Sequence, residues 1–393
     1  MRIRKTLWTD DAEPVIVIMV LLLVLGTLNV FSSSFVMATI DYDNPYYFLT
    51  RHLIMLVVGL GAFAFCRKFN YMRWRYLMPG MVAFIIIALV AVLIVGTEVN
   101  GARRWLYAGG VGFQPAEFAK LISLLLMAAY LSSKLKAGRA PSVLNLQAGI
   151  ILLMAALTEL EPDMGTALII IGVPFIMLVV AGVSMSQLLP LISVGVAGAI
   201  GLIFLQPYRL ERIKVMFDPW ADAQGKGYQT VQSLSTIGSG GFWGMGLGSG
   251  VSKYDYLPEA HTDFAFAIFC QEHGFLGAML IFFLLAALLL YCVRIANRAS
   301  DEFGQMLALG IMLLILGQGI ANVAMVGGLL PVVGVPLPFI SYGGSSLIVT
   351  MCAMGILLNV CDHAKDGKRE EQPEPRSREL KQAESKPGLH LVK

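Results

Sequence analysis

The run VIVIMVLLLVLGTLNV at residues 15–30 carries no charged side chain, and its reading decides the fold. About 20 apolar helical residues cross a hydrocarbon core of about 30 Å, so such a run is a membrane span unless it is a cleaved leader. Arg2, Arg4 and Lys5 precede it as they would in a secretory signal. The run is longer than a signal's apolar region and no small-residue cleavage site follows it, which predicts a retained first span. Working outward, a first span at 15–35 is followed by apolar segments at 47–66, 77–95, 115–133, 144–160, 165–181, 188–205, 264–293, 304–330 and 344–361. Together they predict ten transmembrane helices. Hydrophobic residues make up 57% of the chain against 14% charged, and mean hydropathy is +0.72. The expected fold is all-α, a polytopic membrane protein with one membrane domain over residues 1–361.

Charge sets the expected orientation. Lysine and arginine collect in cytoplasmic connectors of membrane proteins. With the amino terminus inside, Arg67, Lys68, Arg73, Arg75, Lys134, Lys136, Arg139, Arg294 and Arg298 all fall on the cytoplasmic side, while the short outer connectors hold Arg51, Arg103 and Arg104. Both termini are then cytoplasmic and the polar stretch 206–262 is a large extracytoplasmic loop. From 362 to 393 the composition turns to Lys, Glu, Pro, Ser and Arg, which buries too little apolar surface to fold and predicts a disordered cytoplasmic tail. A net charge of +3 with no basic stripe excludes a nucleic-acid partner. Cys66, Cys270, Cys292, Cys352 and Cys361 show no metal or disulfide spacing and read as buried small hydrophobes.

Four places hold residues able to do chemistry. The loop closes on Leu257-Pro258-Glu259-Ala260-His261-Thr262-Asp263; Asp263, at the edge of the next span, is either a helix cap or a general base. In Pro115-Ala116-Glu117-Phe118-Ala119-Lys120 the proline suits a first helical turn, which puts Glu117 and Lys120 on one face at i and i+3. They form an internal ion pair, or Lys120 faces a cavity that receives an anion. Glu159-Leu160-Glu161-Pro162-Asp163 precedes a long apolar helix. Asp163 there is the natural cap, and Glu161, Asp163 and Asp263 also have the oxygen donors to hold a divalent cation, Mg or Mn. The segment 331–346 is apolar yet contains Pro331, Pro336 and Pro338, so irregular backbone is expected at membrane depth, with Ser341 and Ser345 lining a covered cavity. Gln318 and Asn322, one turn apart, mark a polar seam. The glycines at 238–250 follow no strand and end in no Gly-Lys-Ser/Thr, so no nucleotide cofactor is expected.

These stretches, taken in order (100–105, 113–120, 162–166, 208–212, 218–220, 225–234, 257–264 and 331–346), resemble the SEDS family of shape, elongation, division and sporulation proteins, which includes FtsW, RodA and SpoVE. Asp218-Pro219-Trp220 and Gly227-Tyr228-Gln229 look most like the FtsW and SpoVE branch. The resemblance implies a ten-span peptidoglycan glycosyltransferase of the bacterial cytoplasmic membrane. It would polymerise lipid II onto a nascent glycan strand at the outer face. The implied partners are a class B penicillin-binding transpeptidase and other divisome or elongasome membrane proteins. It also implies an essential acid at Asp263, the ion pair Glu117–Lys120 and a functional arginine at Arg51. Cationic stabilisation of a departing pyrophosphate would fall to Lys120, Arg51, Arg103, Arg209 or Arg212, with His261 in the same turn as the acid. One departure stands out: Cys270-Gln271-Glu272-His273-Gly274 replaces the family's Gly-Glu-Glu-Leu-Gly, so only the second acid remains. A lipid II flippase is the alternative. It needs polar groups through the full membrane depth, whereas the candidates here crowd toward the outer half, which favours the enzyme.

Overall fold

The computed structural model describes residues 10–99, 101–108, 111–205, 207–250, 252 and 257–370. Arg2, Arg4, Lys5 and the segment 371–393 lie outside the described residues. The helices α1 (Ala12–Tyr42), α2 (Tyr47–Lys68), α3 (Trp74–Val95), α4 (Pro115–Lys136), α5 (Leu146–Leu160), α6 (Met164–Val180) and α7 (Met185–Leu205) take up the first seven apolar runs. The stretch expected as a polar loop is largely helical, with α8 (Pro207–Phe217), a 3-10 turn at Pro219–Asp222 and α9 (Tyr228–Ser239). The last three runs are α10 (Ala265–Arg298), α11 (Glu302–Val326) and α12 (Gly344–Glu370). Among the described residues, seven of these helices are long and apolar enough to span a bilayer. Of the other three expected spans, α5 has 15 residues and α6 has 17, short of a full crossing.

Helix α4 is the centre of the bundle, packed by α3, α5, α6, α11 and α12. Its inner side chains Leu124, Leu125, Met127 and Leu131 are completely buried, and it starts at Pro115, whose missing N–H is an orphan in any first turn. Helix α12 lies along α2 as the most extensive helix pair. Helix α7, by contrast, is exposed at most of its described side chains and has α8 as its main neighbour, which puts it at the edge of the bundle.

Between α3 and α4 the chain forms an antiparallel sheet, β1 (Thr97–Val99), β2 (Ala102–Ala108) and β3 (Val111–Phe113), in the order β1-β2-β3. The spacing of apolar runs gave no sign of it. Helix α10 is broken at Gly274, whose φ of 64° is open to glycine and strained for other residues. The break frees carbonyls, and the segment after α9 fills it: Met245 N–H donates to Gln271 O (2.9 Å), Gly246 N–H to Glu272 O (3.0 Å) and Phe275 N–H to Gly241 O (2.9 Å).

The bundle has two unlike ends. The end opposite α8 and α9 is tied by polar contacts: Arg67 to Asp362 (3.1 Å), Arg298 to Asp11, and the Tyr71 hydroxyl donating to Asp301 (2.6 Å). Asn359 reaches the Arg67 carbonyl there, and His363 packs against Tyr71. These ties carry α12 on to Glu370, nine positions past the boundary expected at 361. At the other end, here the loop end, residues 331–343 form the expected non-helical connector, with Val335, Leu337, Phe339 and Ile340 buried. The connector threads so close to α1 that a methyl group at Gly26 would overlap the carbonyl oxygen of Phe339.

Gly26→Ala therefore forces apart α1 and the connector. The expected outcome is a loss of about 1–3 kcal/mol, read as a lower melting temperature of the purified protein, whereas Gly149→Ala, where an added methyl meets no neighbour within 4 Å, leaves it unchanged.

Candidate active site

Asp263 lies on the loop end where the 257–264 segment enters α10. It is not a cap: α10 begins at Ala265, its N-cap is Phe264, and no side chain caps its amides. The turn is held by its backbone instead, with Phe264 N–H on Glu259 O (3.1 Å) and Tyr342 N–H on His261 O (2.9 Å). Glu259 (φ 54°) and Phe339 (φ 67°) are non-glycine residues in the left-handed region on the two strands of chain that meet here, the kind of local strain that tertiary structure must hold in place. The Asp263 carboxylate meets no hydrogen-bond donor or ion-pair partner among the described residues. Burial, then the neighbouring Glu259 and Asp163, push its pKa up to about 7 against the pull of Arg104 and Arg212.

The turn between α5 and α6 supplies the rest of the acid cluster. Asp163 does cap α6, accepting from Thr166 N–H (3.1 Å), and takes a second hydrogen bond from the Gln114 amide (3.1 Å); burial raises its pKa. Glu161 is fully buried with neither carboxyl oxygen partnered among the described residues. Burial and the nearby Asp163 push it up to about 8, so it carries its proton at neutral pH. Arg104 reaches down from β2 and donates to the carbonyls of Glu161 (3.2 Å) and Pro162. Arg212, on α8, donates to Val332 O of the connector. Among the described residues no three His, Cys, Asp or Glu side chains form a metal-binding group, so Glu161, Asp163 and Asp263 do not make the three-carboxylate set that the sequence allowed.

Beneath Asp263 runs a chain of side-chain hydrogen bonds. Lys120 and Glu117 pair at 2.8 Å, both almost completely buried. Lys120 also donates to Gln318 Oε1 (2.8 Å), which turns the Gln318 amide nitrogen toward Pro336 O (2.9 Å). One helical turn on, the Asn322 amide nitrogen donates to both Val335 O and Asp263 O, each at 2.7 Å. Lys120 is thus a brace under the site and does not face an open cavity.

The other expected site residues divide. Arg51 is exposed, its guanidinium 4.5 Å over the Tyr47 ring, and Arg103 points to solvent beside Glu98 (3.8 Å). Neither is among the charges that act most strongly on Asp263. His261 is buried against Phe48 and Tyr342, and burial lowers its pKa. Ser341 and Ser345 accept backbone N–H groups of Leu337 (2.9 Å) and Gln114 (3.1 Å) and so fasten the connector. Arg209 falls in α8, with its side chain outside the described residues. Arg104 is the residue that sequence reasoning missed. The signal was present in the alternation of Arg103, Arg104 and Trp105, because neighbours on a strand face opposite ways.

A bundle of apolar helices that closes over an acid cluster at one end defines a multi-span membrane protein. Comparison with known proteins gives the family. The profile of the FtsW/RodA/SpoVE cell cycle proteins matches residues 13–366. Stage V sporulation protein E of Bacillus subtilis is 38% identical over 358 residues, covering 89% of this chain and 96% of that protein. A probable peptidoglycan glycosyltransferase FtsW of Geobacter sp. (strain M18) is 38% identical over 354 residues, covering 88% and 95%. The fold matches a chain of a peptidoglycan synthase complex that couples polymerization and crosslinking, with a TM-score of 0.74 at 28% identity over 89% of this chain and 97% of that one. It also matches the rod shape determining protein RodA of Thermus thermophilus, with a TM-score of 0.66 at 26% identity over 91% and 98%. The chain belongs to the FtsW/RodA/SpoVE family.

Removing one partner of a buried ion pair leaves an uncompensated charge, at about 3–5 kcal/mol, whereas replacing both is far milder. Lys120→Met is expected to lower the melting temperature sharply, and the double change Glu117→Gln with Lys120→Met to recover most of the loss. Equal melting of single and double variants would remove the brace role.

Proposed function

We propose that the chain is a peptidoglycan glycosyltransferase that polymerises lipid II, with Asp263 as its general base. The observation that carries this is the Asp263 carboxylate itself, which caps no helix, meets no donor among the described residues, and has its pKa raised by burial toward about 7 despite Arg104 and Arg212. As the acceptor's 4-hydroxyl oxygen attacks the anomeric carbon of the donor sugar, its proton passes to Asp263. The bond from that carbon to the pyrophosphate oxygen breaks and the lipid pyrophosphate leaves with the electron pair, turning an α-linked donor into a β-1,4 product. Arg104 and Arg212 are the cations within electrostatic reach of Asp263 and stabilise the developing negative charge. A base whose pKa lies near the working pH is the most effective kind, worth about 10²–10⁴-fold. A divalent cation would be held by Asp163 and Asp263 and would supply positive charge to the departing pyrophosphate.

Transport is the weaker reading. Below the brace, the inner face of α4 offers Leu124, Leu125, Met127 and Leu131, an apolar wall where a sugar headgroup in transit would need polar lining.

The family and the related synthase complex support a class B penicillin-binding transpeptidase as partner, docked by its one span on the apolar faces of α10 and α11. The distribution of lysine and arginine supports a cytoplasmic-membrane orientation with both termini inside and the loop end outside. A cysteine placed at Gln224 in a chain free of its native cysteines is then expected to react with an impermeant reagent in intact bacterial cells. Reaction only after lysis would invert the topology.

Asp263→Asn is expected to abolish polymerisation of purified lipid II with the melting temperature retained; near-normal turnover would reject the base. Because the group must be ionised to accept a proton and its pKa is raised, the rate should climb with pH up to a plateau above about 7. Glu259 is the carboxylate that most raises this pKa. Glu259→Gln should therefore move the rising limb to lower pH, and an unmoved limb would detach it from Asp263.

A further inference from the structure

The acid cluster occupies one side of the 257–264 segment, and the other side carries side chains that the chemistry above leaves unused. His261 lies against Phe48, with ring centres 4.6 Å apart, and against Tyr342 at 5.5 Å. From Phe48 the rings continue to Tyr47 at 5.2 Å and Tyr42 at 5.6 Å, both edge-on to it, and these two tyrosines stack flat on each other at 3.7 Å. The Arg51 guanidinium rests 4.5 Å over Tyr47. Tyr42 is 47% exposed and Arg51 is exposed beside it. Next to the rings, Ser33 and Met37 of α1 and the turn through Glu259 and His261 enclose a cavity of about 240 Å³. That is below the ~300–1,000 Å³ of sites for drug-sized molecules, and it suits one ring-sized group.

Few ligands fit this set. Stacked tyrosines offer flat apolar faces, the cavity rim offers a hydroxyl, a carboxylate and an imidazole, and Arg51 offers one cation. A pyranose has a face of C–H groups that packs on an aromatic ring and an edge of hydroxyl and acetamido groups that forms hydrogen bonds. We propose that this face and its cavity are the subsite for the glycan strand. Tyr42 and Tyr47 carry its sugar rings, the cavity takes one ring or its acetamido substituent, and Arg51 binds a carboxylate of the attached peptide. The proposal rests on the glycosyltransferase reading. Tyrosines at a bilayer surface also serve as a lipid-facing belt. Continuity separates the two uses: these rings run in unbroken contact from Tyr42 inward to Tyr342 and His261, two residues from the base, and a belt needs no such path.

The test uses the full chain in nanodiscs and, as probe, a soluble lipid-free glycan of alternating N-acetylglucosamine and peptide-bearing N-acetylmuramic acid. Binding is measured for the wild type, Asp263→Asn, Tyr47→Ala and Tyr47→Trp, and product strand length for the active ones. The wild type and Asp263→Asn should bind alike. Tyr47→Ala should bind about tenfold more weakly and make shorter strands, and Tyr47→Trp, which keeps a stacking face, should restore both. Unchanged binding and strand length in Tyr47→Ala overturn the subsite and leave a belt. Should Tyr47→Ala melt early, Arg51→Gln takes its place, weaker binding supporting the subsite and equal binding rejecting it. Tyr47-dependent binding by a wild-type chain that makes no polymer would defeat the glycosyltransferase reading and keep the subsite. A wild-type chain that fails to bind the glycan overturns the subsite whether or not polymer forms.

Discussion

Irregular backbone buried in a membrane protein must find every hydrogen bond within the protein, because hydrocarbon supplies none. The connector 331–343 meets that demand, and the site depends on how it does so. Its carbonyls at Val335 and Pro336 take hydrogen bonds from Asn322 and Gln318, and its Leu337 amide donates to Ser341. Because Asn322 also binds the Asp263 carbonyl, the same contact that makes the connector tolerable fixes the backbone of the acid. Lys120 determines which way the Gln318 amide points, so the charge pair at the start of α4 acts on the Asp263 backbone through four hydrogen bonds and the Val335–Pro336 peptide.

The acids around Asp263 show how one cluster is given different tasks by its surroundings. Asp163 is committed twice, to the cap of α6 and to Gln114. Glu161 is buried with neither oxygen partnered among the described residues and stays protonated. Asp263, also without a partner among the described residues, has the lower pKa of the two and ionises nearer neutrality. The guanidinium groups of Arg104 and Arg212 are each tied to a backbone carbonyl, which holds their charge near the cluster.

Much of this was legible in the amino-acid order, and the failures have physical causes. Apolar runs located all ten bundle helices, and three prolines announced the connector. The i, i+3 spacing after Pro115 marked Glu117 and Lys120 as a pair, and a polar turn against an apolar run drew the eye to Asp263. What escaped notice was short or non-local. Two of the three strands in the 97–113 sheet have three residues, too few for a period to show, and with them went the distinction between Arg103 and Arg104. Whether Asp263 caps α10 turned on a shift of one residue at the helix start, which only tertiary packing decides. The break in α10 depends on one glycine within a long apolar run and on the segment after α9 that fills it, a contact between stretches that no local pattern records.

The hairpin of α5 and α6 has a consequence for the lipid around it. At 1.5 Å per residue, 15 residues make a helix of roughly 22 Å, well under the hydrocarbon thickness of about 30 Å. Such hydrophobic mismatch is relieved by local thinning of the bilayer, at a fraction of a kcal/mol per ångström. Beside this hairpin the headgroup layer would dip toward the Glu161–Asp163 turn, so the acid cluster and the phosphates of the leaflet would share one depth.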